Sequence, residues 1–132
     1  MVRVELARIL VNEKVLDEQQ VTLREADGTR ELSIRVGSYE IAVIDWIVKE
    51  RPSERPYTHD LLLAIVESLE GKVVRAVIDD LRDDVYYAKV IVKRGKEEVA
   101  VDARPSDAIV LALKADAPMY VADKVMKAVS QG

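Results

Sequence analysis

What most limits the folds open to this chain is a hairpin signal that occurs twice. Asp27-Gly28 lies between Val21-Thr22-Leu23-Arg24-Glu25 and Glu31-Leu32-Ser33-Ile34-Arg35-Val36, and Asp-Gly between two such apolar-alternating runs is the strongest short-range signal for an antiparallel hairpin. Arg94-Gly95-Lys96 turns the chain in the same way from Val85–Val92 into Glu98–Asp102. The shift that carries Gly28 onto Gly95 also carries Leu32 onto Val99, Ile34 onto Val101, Glu40 onto Asp107 and Val43 onto Val110. The expected fold is therefore α+β: two pseudo-repeated units of three antiparallel strands plus a helix, with an extra central helix and a short C-terminal helix.

The remaining elements fit around that frame. Val2 to Val11 reads as a long strand whose alternation breaks midway, as at a bulge. Tyr39 to Glu50 reads as a helix with apolar residues on most sides, and 51–57, with two prolines, breaks it. Thr58 is the expected N-cap of the central helix, whose stripe of Leu61, Leu62, Ile65, Val66 and Leu69 stops at Gly71. Val73–Ile78 and Val85–Val92 read as strands joined across Asp80-Leu81-Arg82-Asp83-Asp84, and Ala117-Pro118 leads into a short Met119–Val121 strand before a last helix over Asp123–Val129. The helix at Tyr39–Glu50 cannot hide all its apolar faces in so small a domain, which predicts a homodimer with Trp46 as the anchor. The alternative is that the sheet and the Leu61/Ile65/Leu69 helix cover it.

At 132 residues the length prior gives a single domain over 1–132. A composition of 49% hydrophobic and 33% charged residues is that of a globular chain. Without cysteine and with one histidine, disulfides, thiolate sites and multi-histidine zinc sites are excluded within one chain. The N-terminus has charges spaced through it, so neither a signal peptide nor a membrane span is expected, and a cytoplasmic protein is. A net charge of -4 excludes binding nucleic acid through a strong overall positive field, and any polyanion needs a local site.

One stretch carries the chemistry. Asp102-Ala103-Arg104-Pro105-Ser106-Asp107 joins a short apolar strand to an apolar helix. Proline fits the first helical turn and Asp107 faces the positive end of the dipole, so Pro105 marks a helix start. Arg104 beside unpaired backbone N–H groups makes that turn a candidate anion site. Arg55-Pro56-Tyr57-Thr58-His59-Asp60 reads similarly: Arg-Pro, a hydroxyl residue, an acid. If the two helix starts face each other, His59, Asp60, Arg104, Ser106 and Asp107 form one cluster. It would serve either as a site or as a charge-assisted knot between elements. His59 is the default acid or base and Arg104 the phosphate clamp. Asp60, Asp79, Asp102 and Asp107 are the candidate ligands for Mg²⁺ or Mn²⁺. No Gly-rich phosphate loop, Gly-x-Ser-x-Gly elbow or aromatic and basic stacking platform is present.

At Arg55-Pro56, Thr58-His59-Asp60-Leu61, Tyr86-Tyr87-Ala88 and Asp102-Ala103-Arg104-Pro105-Ser106-Asp107-Ala108, in that order and spacing, the chain resembles the bifunctional nuclease domain family. Glu40 fits that family's Gly-x-x-Glu. The departures are Ile41 and Asp45-Trp46 in the first helix and Arg35 in the third strand. The resemblance implies an α+β domain, often a homodimer, with nuclease activity on DNA and RNA in some members. Two functions follow. One is hydrolysis of phosphodiesters with low sequence specificity. The other is a non-catalytic homodimeric module that binds a partner protein or small anion through the Arg104/Ser106/Asp107 turn.

Overall fold

A computed structural model of the chain describes residues 1–12, 14, 19–50 and 55–131. Among these residues the elements are β1 (Val2–Leu10), β2 (Gln19–Glu25), β3 (Glu31–Val36), α1 (Ser38–Val48), α2 (Thr58–Ser68), β4 (Gly71–Arg82), β5 (Val85–Arg94), β6 (Glu97–Ala103), α3 (Pro105–Ala115), β7 (Met119–Val121) and α4 (Asp123–Gln131). The expected break in the 51–57 loop falls largely outside the described residues, at 51–54. The strands form one mixed sheet in the order β3-β2-β1-β7-β4-β5-β6, so the fold is α+β. Three-residue β7 is its centre, antiparallel to β1 and parallel to β4. β1 carries the expected bulge, between Leu6 and Arg8.

The registers put Leu23 and Leu32, Val4, Met119, Ala76, Val90 and Val101 on one face of the sheet. Against it pack Ile41 and Ile44 of α1, Ala108 to Ala112 of α3, and Val125 and Met126 of α4. The opposite face carries ion pairs such as Arg75–Glu98 and Lys89–Asp102. The order strand, strand, strand, helix recurs in β1-β2-β3-α1 and β4-β5-β6-α3, yet matched positions pack differently: Leu32 and Ile34 are 2% and 3% exposed, Val99 and Val101 52% and 46%. Helices cover β3 and stop short of β6.

Three local readings are corrected. The connection between β4 and β5 is only Asp83-Asp84, with φ of 50° and 64°. Both central residues of a type I′ turn need positive φ, which Asp tolerates, and the strands run on through Asp80 to Arg82. The N-cap of α2 is Tyr57, not Thr58, because the Asp60 carboxylate accepts the Tyr57 N–H at 3.0 Å. The α2 stripe faces outward: Leu61, Leu62, Ile65 and Leu69 are exposed, while α2 docks through His59, Leu63 and Val66. α2 thus carries an exposed apolar face, and Tyr39, Ala42 and Val48 of α1 are exposed as well. Trp46 is only half-buried and meets the Tyr57 ring edge-on at 6.4 Å between centroids.

Candidate active site

Arg104 precedes a proline, which keeps its backbone extended, at φ -67° and ψ 148°, and makes it the N-cap of α3. Its side chain folds back over the first turn, donating from Nε to Asp107 Oδ2 at 2.8 Å and from Nη2 to Asp107 Oδ1 at 3.2 Å. Nη1 reaches Glu40 Oε1 of α1 at 2.9 Å. A Cβ at Gly37 would collide with the Glu40 carboxylate, so that glycine makes room for the acid. On the other side of Asp107, His59 Nε2 stands 2.9 Å from Oδ1. Beside them Lys114, from the last turn of α3, donates to Asp60 Oδ1 at 2.6 Å.

The electrostatics follow from these contacts. Burial pushes the Asp107 carboxyl up, but the hydrogen bonds from Arg104 and His59 outweigh it and hold the group below the ordinary carboxylate range. The Lys114 hydrogen bond holds Asp60 low against burial, helped by the Tyr57 N–H. The hydrogen bond to Asp107 raises Arg104 above its ordinary value, and the bond to Glu40 adds to this. With Asp107 ionised, Nε2 of His59 is the donor, which leaves Nδ1 to hold the lone pair of the neutral ring. Nδ1 is buried and has no partner among the described residues. The Ser106 hydroxyl, on a residue 6% exposed, likewise has no hydrogen-bond partner among the described residues.

The structure thus brings His59, Arg104 and Asp107 into direct contact, with Asp60 beside them on α2 and Ser106 on the same turn of α3. Glu40 and Lys114 join the network without having been singled out as site residues. Glu40 had a signal in its Gly37-x-x-Glu40 setting, and Lys114 had none. The proposed metal ligands separate: Asp79 and Asp102 share Lys89, at 3.4 and 3.3 Å, Asp60 is held by Lys114 and Asp107 by Arg104. Among the described residues no three metal-ligating side chains form a group that could hold an ion. These carboxylates, each engaged by a cation, do not fit a Mg²⁺ or Mn²⁺ site.

Two cavities open beside Arg104, which lines both. One, of about 790 Å³, runs from Ser33–Gly37 to Asp84–Tyr87 and ends at Ser106. The other, of about 480 Å³, is a largely apolar groove between α2 and β6, walled by Leu62, Val66, Val92 and Val101, with His59 and Asp107 at one end.

A seven-stranded α+β sheet with an Arg–carboxylate–His network at the start of α3 defines the class of domain. Residues 21–131 match the bifunctional nuclease domain, and the chain belongs to that family. It is 34% identical over 114 residues to the uncharacterized protein Rv1829 of Mycobacterium tuberculosis strain H37Rv, covering 86% of this chain and 68% of the relative. The uncharacterized protein MT1877 of M. tuberculosis strain CDC 1551 matches equally, at 34% over the same shares.

Proposed function

We propose that the protein hydrolyses phosphodiester bonds of DNA and RNA with low sequence specificity, at the start of α3. The observation that carries this is a solvent-facing arginine at a helix start: the Arg104 side chain is 64% exposed even while it holds Asp107 and Glu40, beside a Ser106 hydroxyl with no partner among the described residues. The backbone N–H groups of Ser106 and Asp107 precede the first helical donor, Ala108. Such a turn attracts a phosphoryl group through directed N–H groups and the helix dipole. Asp107 orients the His59 ring, and catalysis through that ring requires its buried Nδ1 to open to an attacking water; it would then take the water's proton as the new P–O bond forms, while the P–O ester bond breaks and the leaving oxygen is protonated from solvent.

The test is cleavage of labelled DNA and RNA oligonucleotides by highly purified protein, with and without chelator. Arg104→Ala and His59→Asn should each reduce the rate at least a hundredfold, within the usual range for one charge-stabilising or acid–base group. Cleavage that survives Arg104→Ala unchanged would belong to a contaminant. One observation favours the second reading, a non-catalytic module that binds an anion or partner protein. His59 is 3% exposed and its Nδ1 meets no solvent, as expected of a knot tying α2 to α3.

The same reading includes a homodimer. The exposed Leu61, Leu62, Ile65 and Leu69 of α2, with Leu62 lining the same groove as Val101 of β6, form a surface that a second copy would cover. It also includes a cytoplasmic setting. Among the described residues no helix is long and apolar enough to cross a membrane.

A further inference from the structure

The larger cleft is built from bare strand edges. β6 ends at Ala103, opposite Ala88, so Val85 to Tyr87 continue past it with no strand on that side among the described residues. Among the described residues β3 pairs only with β2 and is the other end of the sheet. Residues of both ends line one cleft of about 790 Å³. On the β3 wall stands Arg35, exposed and without an acidic partner among the described residues. Across from it is half-buried Tyr86, whose ring packs against the edge of the core. Burial, and to a lesser degree Asp84, raises the Tyr86 hydroxyl above its ordinary range, so it is a donor at neutral pH. The cleft is also lined by Ser106, 6% exposed and without a hydrogen-bond partner among the described residues. The cleft's acids are Asp84, on the hairpin turn, and Asp102, paired with Lys89 at 3.3 Å.

We infer that this cleft holds a single-stranded polynucleotide, with phosphates on Arg35 and at the Ser106 turn and a base against the Tyr86 ring. The inference rests on the nuclease reading and specifies its substrate. A cation with no acidic partner among the described residues, an aromatic face and a hydroxyl at a helix start, all lining one slot, match the alternating charge and ring of an unstacked strand. In a duplex the bases are stacked on one another and cannot reach a ring inside a slot between two edges of a small sheet. Arg35 supplies the local positive charge that the overall negative charge of the chain requires of such a site.

The experiment is fluorescence anisotropy on the full chain, with a labelled ten-nucleotide thymidine phosphorothioate strand and with the same strand annealed to its complement. The single strand should bind at least tenfold more tightly than the duplex. Tyr86→Leu should weaken it about tenfold, and Tyr86→Phe, which keeps the ring, should not weaken it by more than twofold. Arg35→Gln should lower the salt slope of log K by about one. Equal duplex binding, or wild-type affinity in folded Tyr86→Leu and Arg35→Gln proteins, would overturn the inference. So would an extended peptide that occupies the bare edges while the oligonucleotide fails to bind. Strand binding without cleavage would keep the cleft and reject the nuclease. Hydrolysis of bis(p-nitrophenyl) phosphate without strand binding would do the reverse.

Discussion

Asp107 is the residue on which the network depends, because it accepts from Arg104 twice and from His59 once. Replacing it by alanine leaves His59 Nε2 in a buried place without its acceptor, and an orphaned buried polar group costs about 1–3 kcal/mol. Asp107→Ala should therefore lower the stability measured by urea unfolding by about that much, and a change under 0.5 kcal/mol would show that the contact is not held in solution. Arg104→Ala removes an exposed side chain and should cost less, so a large activity loss in that variant is not a folding effect. Half of this was legible in sequence. The Arg104–Asp107 contact spans one helical turn and follows from Pro105 fixing the helix start. The contact of His59 with Asp107 crosses 48 positions, and only the likeness of the two Arg-Pro segments hinted at it. Glu40 could not be placed because its role depends on α1 crossing the start of α3.

At the scale of elements, α2 shows why periodicity is an incomplete guide. A one-sided apolar stripe identifies a helix and says nothing about whether its own chain or another covers that stripe. Here the N-terminal turn, with its Tyr57–Asp60 and Asp60–Lys114 contacts, fixes the angle at which α2 docks, and Leu61, Ile65 and Leu69 are left outside. Ile65→Glu should consequently leave the protomer's unfolding midpoint almost unchanged, since exposed substitutions fall within about 0.5 kcal/mol, while light scattering at tens of micromolar shifts from dimer to monomer mass. A monomeric wild type would remove the dimer proposal altogether. The strand ends of β4 and β5 were hidden for a different reason, since five polar or charged-flanked positions do not reveal which two take positive φ. The end of α3 offers a cleaner test of backbone conformation. Asp116 caps it at φ 53°, in the left-handed region that favours glycine, and its negative charge opposes the dipole at a helix C-terminus. Asp116→Gly should raise stability by about 0.5–1 kcal/mol in thermal or urea unfolding.

Over the whole molecule, the two three-stranded halves were visible from their glycine turns, but their joining was not. β7 is three residues long, and nothing in Met119-Tyr120-Val121 says that it pairs with β1 on one side and β4 on the other. Once it does, the helices fall on one face and the starts of α2 and α3 meet, so that Asp60 of α2 is held by Lys114 of α3, and Asp107 by Arg104 at its own helix start and by His59 of α2. That arrangement sets how the fold responds to acid. Asp60 is held below its ordinary range chiefly by Lys114, and Asp107 is held low by Arg104 and His59 although burial opposes it. A carboxyl whose folded value is depressed contributes stability that is complete above its unfolded value, near 4, and is lost as pH falls through the folded value. Urea midpoints should therefore show no loss attributable to these two groups between pH 8 and 5 and should fall below about pH 4. The slope approaches about 1.4 kcal/mol per pH unit for each proton taken up on unfolding. In an Asp60→Asn/Asp107→Asn double variant the neutral-pH stability drops and the acid limb becomes shallower. An acid limb of unchanged steepness in that variant would assign the acid sensitivity to other carboxylates and leave the helix-start network without its expected weight in the fold.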